Sequence, residues 1–307
     1  MEVPKEIIEK LRSKGIKRVF VQFPEGLATR IQEITKELEE QGFEVFLCME
    51  PTYGACDVRD VEAKRLGCGG ILHIGHSDFG AKSEVPVVYW EYAIDAVPSA
   101  QLLEELKSFP YERVGLTTSV QYIKAFRAVK EYLQEIGKEV YVAKTLKHEG
   151  QVLGCNVSAA KAIEDEVDCI LYVGAGKFHP LGIALKVKKP VYAMDLEKNS
   201  IYSLEEEVKK WSKIIEWNKS LLDEANRIGI IVSWKKGQLN VKLAKEIAKR
   251  LEERGKEVYF LAFDYVVPEK LEGLELDLLI NFACPRIGID DKKRFKVPIV
   301  NVEFLEI

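Results

Sequence analysis

Three consecutive α/β domains, each a mainly parallel four-stranded sheet flanked by helices, are predicted for this 307-residue chain on three observations. The length is roughly twice that of an ordinary single domain. A short apolar strand recurs with similar flanks, as RVFVQFP from Arg18, RVGLTTS from Arg113 and RIGIIVS from Arg227. Each copy leads into a Glu- and Lys-rich helical stretch that stops at Gly42, Gly137 or Gly255, and a β-prone run follows in QGFEVFL, IGKEVYV and RGKEVYF. Glycine just past the last periodic residue ends a helix, so each copy reads as a βαβ unit.

The other elements repeat as well. A third strand reads GILHIGH from Gly70, CILYVGA from Cys169 and LLINFAC from Leu278. A fourth reads PVVYWEY, PVYAMDL and PIVNVEF, opened by Pro86, Pro190 and Pro298, where a missing N–H costs least. Short apolar strands alternating with amphipathic helices indicate parallel sheets covered on both faces. The expected domains are 1–108, 109–222 and 223–307, the polar helix SLEEEVKKWSKIIEWNKSLLDEANR bridging the second to the third. Their expected arrangement is pseudo-threefold around a central site.

Composition excludes several classes of function. Lys plus Arg number 45 against 49 Asp plus Glu, a net charge of −4, which argues against a protein held to nucleic acid by bulk charge. The opening MEVPKEIIEKLRSKG reads as an amphipathic helix, and no run of 18 apolar residues occurs, so the expectation is a cytoplasmic protein with no membrane partner. In that compartment six cysteines do not form a disulfide framework. The nearest pair, Cys48 and Cys56, is eight apart, so no CxxC knuckle exists and any metal site is assembled by folding.

Aligning the repeats sorts the thiols. Cys56 and Cys155 each lie 15 residues before equivalent third-strand positions, Ile71 and Ile170. Each follows a small residue and precedes a capping residue, Asp57 or Asn156, which predicts a place at a helix start, just past the carboxyl end of a strand. Cys284 follows the third strand of the third copy directly, again at a carboxyl edge, where open parallel sheets place their ligands. Cys48, Cys68 and Cys169 align with small or apolar residues and read as core. Three thiolates without a fourth suit an iron–sulfur cluster with one open iron better than structural zinc.

The stretches QFPEGL from Gln22, PTYGACD from Pro51, ILHIGHS from Ile71, GKFHPLG from Gly176 and ACPRIGIDD from Ala283 resemble the archaeal diphthamide synthesis radical enzymes, over essentially the whole chain. The resemblance implies a four-iron four-sulfur cluster held by Cys56, Cys155 and Cys284, with S-adenosyl-L-methionine bound at the open iron. It further implies that a 3-amino-3-carboxypropyl radical, rather than the usual deoxyadenosyl radical, adds to C2 of a histidine of translation elongation factor 2, the first step of diphthamide formation. A homodimer and an unidentified electron donor are also implied. Asp57 after Cys56 and Asp78 after the His-Ser pair are departures to note. The rivals are a quinolinate synthase-like iron–sulfur dehydratase and a non-catalytic iron–sulfur subunit.

Further candidates come from sheet edges. His76 occupies in the first copy the slot of Cys284 in the third and of Ala175 in the second, which predicts that it lines the cosubstrate pocket, with Ser77 beside it. Lys177 and His179 lie beyond the third strand of the second copy, and Arg286 lies two residues after Cys284. Gln22 and Glu25, at the end of the first strand, are candidates for holding ribose or adenine. His73, mid-strand, reads as a core histidine.

Overall fold

The periodicities resolve into three sheets of the same strand order in a computed structural model that describes residues 2–78 and 80–305. The first copy runs α1 (Lys5–Ser13), β1 (Arg18–Gln22), α2 (Ile31–Glu40), β2 (Glu44–Leu47), α3 (Asp60–Arg65), β3 (Gly70–Ile74) and β4 (Val87–Trp90). The second runs α4 (Ala100–Lys107), β5 (Arg113–Thr118), α5 (Ile123–Glu135), β6 (Glu139–Tyr141), α6 (Ser158–Lys161), β7 (Cys169–Gly174), α7 (Phe178–Ala184), β8 (Val191–Asp195) and β9 (Ser200–Ser203). The third runs α8 (Glu205–Glu224), β10 (Arg227–Ser233), α9 (Val241–Glu253), β11 (Glu257–Phe263), β12 (Leu278–Asn281), α10 (Pro285–Ile289) and β13 (Ile299–Asn301).

The sheets are β2-β1-β3-β4, β6-β5-β7-β8-β9 and β11-β10-β12-β13. All pairings are parallel except β8 with β9. The register is repeated too: Val19 pairs with Gly70, Val114 with Cys169 and Ile228 with Leu278. Gly42, Gly137 and Gly255 sit at φ +88°, +85° and +81°, the left-handed residue that stops each helix. The carbonyls of Pro86, Pro190 and Pro298 accept from Ile71, Ile170 and Leu279 N–H, so each proline still serves the ladder as an acceptor.

Each sheet buries both faces, the first under Leu38 and Ile74 on one side and Val58 and Ile71 on the other. A fully buried Leu or Ile contributes about 1.5–3 kcal/mol relative to exposure.

Two features depart from the sequence reading. The second sheet has a fifth, antiparallel strand, β9, entered through Asn199 at φ +51°, a backbone that Asn tolerates better than most residues. Helix α4, expected in the first domain, packs Leu102 and Leu106 among Val114, Phe126 and Val129 of the second sheet's core. Accordingly the chain divides into two compact units, Met1–Ile94 and Asp95–Ile307, the second holding two sheets. Helix α8 packs Val208 and Trp211 on the second sheet's core and Leu222 in the third's.

Candidate metal-ligand edges

Burial separates the six free cysteines into the groups that the repeats predicted. Cys48, Cys68 and Cys169 are buried; Cys56 and Cys284 are half-buried, and Cys155 is exposed. Burial lifts the Cys169 thiol to about 12, a protonated, inert sulfur.

In the first unit, Cys56 lies in a turn closed by the Asp57 N–H donating to the Gly54 carbonyl at 3.0 Å. Helix α3 starts only at Asp60, with Arg59 as its N-cap, so the expected helix-start position for Cys56 is corrected: three residues intervene. The turn is held from β1. Gln22, fully buried, donates its Nε2 to the Asp57 carbonyl at 2.8 Å and accepts the Arg59 N–H at 3.0 Å. Its amide is thus committed to the loop of Cys56, which corrects its expected role toward ribose or adenine. Arg59, itself buried, lies 3.8 Å from Asp57.

His73 lies in β3 and His76 two residues beyond its end. Their rings meet at 3.0 Å, Nε2 of His73 to Nδ1 of His76. Burial holds His73 down to about 3, aided by His76, and holds His76 down to about 4, so both are neutral at pH 7. The Tyr53 backbone, three residues before Cys56, favours the charged His76 ring and offsets part of this lowering. Burial, with Asp78 and Cys56, pushes the Tyr89 phenol up to about 12. Ser77, buried, donates to Glu91 Oε1 at 2.8 Å. Glu25 is exposed at the start of a short 3-10 turn, apart from this network.

In the second unit, Cys155 sits on a loop laced to β5: Thr118 N–H donates to the Gly150 carbonyl and Val152 N–H to the Thr118 carbonyl, both at 2.8 Å. Asn156 Oδ1 accepts the Ser158 N–H at 2.9 Å, a local cap, but α6 begins three residues after Cys155 and has four residues. The helix-start expectation therefore fails here also. It holds where it was not made: Cys284 is the N-cap of α10, with Pro285 at the first helical position.

The loop of Cys155 and the turn of Cys284 meet on one ring. Gly154 packs so closely that an added Cβ would lie 1.8 Å from Phe178, and the Arg286 guanidinium covers that ring at 4.7 Å from its centroid. Arg286 also donates to Asp290 at 2.8 Å. His179 stacks on Tyr172 at 5.8 Å, and burial together with the Arg286 charge brings it down to about 4. Lys177 is turned to α8, pairing with Glu207 and lying over Tyr202.

Several positioning residues escaped the sequence reading. Asn281 and Asn301, paired in register and both buried, form an amide clamp: Asn281 Nδ2 donates to Asn301 Oδ1 at 2.7 Å and to the Cys284 carbonyl at 2.9 Å, and Asn301 Nδ2 donates to the Pro285 carbonyl at 2.9 Å. Glu91, Asp195 and Glu303 fill one slot, five residues after each strand-opening proline. Each is engaged, Glu303 with Lys186 at 2.7 Å and Asp195 with the Glu197 and Lys198 N–H groups, both at 3.1 Å. That shared acidic position was the available signal.

The donor set fits a thiolate-ligated cluster in its chemistry: sulfurs with open surface at carboxyl edges. Among the described residues no group of three His, Cys, Asp or Glu is gathered closely enough to hold a metal ion. A groove of about 310 Å³ lined by Tyr111, Lys189, Pro190 and Ser203 lies at the opposite, amino end of β8 and includes none of the candidates. No helix among the described residues is long and apolar enough to cross a membrane.

A family profile described as diphthamide synthesis protein matches residues 23–307. The 2-(3-amino-3-carboxypropyl)histidine synthase of Pyrococcus horikoshii is 37% identical over 319 residues, spanning 100% of this chain and 90% of that protein. The synthase of the same name from Methanocaldococcus jannaschii is 29% identical over 314 residues, spanning 96% and 85%. The crystal structure of Dph2 from Pyrococcus horikoshii matches with a TM-score of 0.91 at 35% identity, over 100% of this chain and 90% of that one. The structure of Dph2 from that organism with a 4Fe-4S cluster matches equally, at a TM-score of 0.91 and 34% identity. With its three equivalent sheets, its cysteine-bearing edges and a match along nearly its whole length, the chain belongs to the diphthamide synthesis protein family.

Proposed function

We propose that this chain transfers a 3-amino-3-carboxypropyl group from S-adenosyl-L-methionine to C2 of a histidine of translation elongation factor 2, using a four-iron four-sulfur cluster held by Cys56, Cys155 and Cys284. The observation that carries the reading is the sorting of the cysteines: these three alone keep accessible surface, all at sheet carboxyl edges. The cluster-bearing Dph2 relative supports the cofactor, and the names of the relatives support the group transferred.

The proposed ligand set takes one thiol from the first unit and two from the second. When bound, such a cluster would supply one electron to the sulfonium of the cosubstrate. The chain's own residues fix the ligands: Gln22 the Cys56 turn, Gly154 and Phe178 the Cys155 loop, Asn281 and Asn301 the Cys284 turn. His179, neutral at pH 7, can accept a hydrogen bond but adds no positive charge beside a sulfonium. Ser77 and Arg286 belong to the same edges as their thiols, whereas the exposed Glu25 and Lys177 are better placed to meet the protein substrate. A cytoplasmic homodimer fed by a separate electron donor completes the proposal.

The test is anaerobic reconstitution followed by reduction and addition of S-adenosyl-L-methionine. A brown protein that becomes paramagnetic with dithionite and releases methylthioadenosine is expected, and Cys155→Ala should lose both properties. A colourless zinc protein refutes the cluster. A brown protein that forms no methylthioadenosine points to dehydratase chemistry of the quinolinate synthase kind.

A further inference from the structure

The second strand of each copy is an edge strand of its sheet, and the third copy treats that edge differently from the other two. β2 and β6 have four and three residues, whereas β11 has seven and is the longest edge strand among the described residues. The aromatic residues of the short edges are covered. The Arg18 guanidinium lies over Phe46 at 5.4 Å from its centroid, and Tyr141 packs on the second sheet's core. At the equivalent position β11 has Tyr259, 48% exposed, and the next residue, Phe260, on the opposite face, is 47% exposed. From Glu257 to Phe263 the strand carries no Lys and no Pro, the residues that ordinarily keep a free edge from pairing. A long apolar edge of this kind is a template for another strand.

We propose that β11 is the surface on which two copies of the chain meet, the strand pairing antiparallel with its own counterpart about a two-fold axis and joining the two third sheets. The inference rests on the homodimer proposed above and gives it an interface. A two-fold axis sets residue i of one copy against residue j of the other, and j against i. Pairing that uses all seven residues of β11 therefore centres on Phe260, which meets itself. On the same face Val258 then meets Ala262, and one residue beyond each end of the strand Lys256 meets Asp264. The edge is thus complementary to itself, apolar in the middle with opposite charges at the two ends. Both end residues are held in place, Lys256 by the Asp223 carbonyl and Asp264 by Lys235 at 3.3 Å. An aromatic side chain buries about 150–250 Å², so the exposed halves of Tyr259 and Phe260 in two copies supply about 400 Å², a third of the roughly 1,200 Å² at which stable interfaces begin. Val258, Leu261, Ala262 and two backbone edges add to it. A docked protein substrate fits this edge less well: Tyr259 pairs with Gly229 in the amino half of β11, whereas an acceptor histidine has to reach the carboxyl edge that carries Cys284.

The test is the mass of the full-length chain in solution, by light scattering on a size-exclusion column over a concentration series. The wild type should run at twice its chain mass. Phe260→Lys sets two like charges against each other on the axis and should raise the dimer dissociation constant at least about a hundredfold. Phe260→Cys should form a covalent dimer under mild oxidation, linked 260 to 260 in peptide mass spectrometry, because directly opposed residues of antiparallel strands lie about 4.5–5.5 Å apart at Cα, within disulfide reach. Tyr259→Cys, which faces Leu261 of the other copy, should link to itself far more slowly. Should Phe260→Lys lose its fold by circular dichroism, the cysteine link decides. A dimer that survives Phe260→Lys, or a dimeric Phe260→Cys variant that yields no 260-to-260 link, overturns the proposal and leaves the homodimer itself standing. A wild-type monomer overturns both, and methylthioadenosine released by that monomer would keep the proposed chemistry.

Discussion

The turn of Cys56 in the first sheet and the turn of Cys284 in the third occupy the same edge of equivalent sheets, yet they are reached by different connections. Cys56 is carried on the loop after β2, and Cys284 directly follows β12. Each is nevertheless read by a buried amide on the last residue of a strand, Gln22 of β1 for the first and Asn281 of β12 for the second. The repeat thus preserves the edge and the kind of clamp but not the position of the thiol. Where the third copy has Cys284, the first has His76, paired with His73 at 3.0 Å.

Acid should separate the two units most strongly. His73 and His76 are held at about 3 and 4 in the first unit, against His179 at about 4 in the second. Unfolded histidine takes up a proton near pH 6.5 while the folded rings do not until far lower, so the unfolded state binds more protons across this window. Stability is therefore fully present above about pH 6.5 and is lost as pH falls toward 4, by up to about 1.4 kcal/mol per pH unit for each histidine. Limited proteolysis at stepped pH, read by fragment mass, should find the first unit opening before the second; simultaneous opening would contradict the assignment.

Gln22→Ala comes next in size. It strands the Asp57 carbonyl and the Arg59 N–H in the interior and should cost about 2–4 kcal/mol in denaturant unfolding of the first unit. Asn281→Ala tests the matching clamp, and a cost far below that of Gln22→Ala would show that Asn301 alone can hold the Cys284 turn. Gly154→Ala forces a Cβ into the Phe178 ring and should cost about 1–3 kcal/mol, with the change in local protection confined to the Cys155 loop in hydrogen exchange. Arg286→Ala is the smallest: losing the half-exposed cation over Phe178 should cost about 0.5–1 kcal/mol. It should also raise the His179 pKa by removing a repelling charge, which a ring-proton NMR titration would detect.

Much of the fold was legible because repetition and period are local properties of the chain. Gly42, Gly137 and Gly255 marked helix ends, and three prolines marked fourth strands, since each answers to backbone chemistry within a few residues. Strand β9 was missed because its signal is one residue, Asn199, whose left-handed backbone is allowed but not demanded by its side chain. Helix α4 was assigned to the wrong neighbour because an amphipathic helix states that it has an apolar face and not which sheet covers it. In the site, the division of the cysteines could be read, whereas the work of Gln22, Asn281 and Asn301 could not: a buried amide declares its partners only once the chain has brought them within hydrogen-bond reach.

The amino-acid order alone determined the three βαβ copies and which thiols stand at loop positions, because alternation, glycine stops and strand-opening prolines act over a handful of neighbouring residues. Tertiary structure alone decided that Phe178 packs against both Gly154 and Arg286, that Gln22 holds a turn 35 residues away, and that Asn281 meets Asn301. Those contacts join side chains distant in sequence, and burial, which makes an unpaired amide or ring nitrogen expensive, fixes them only after the sheets have packed.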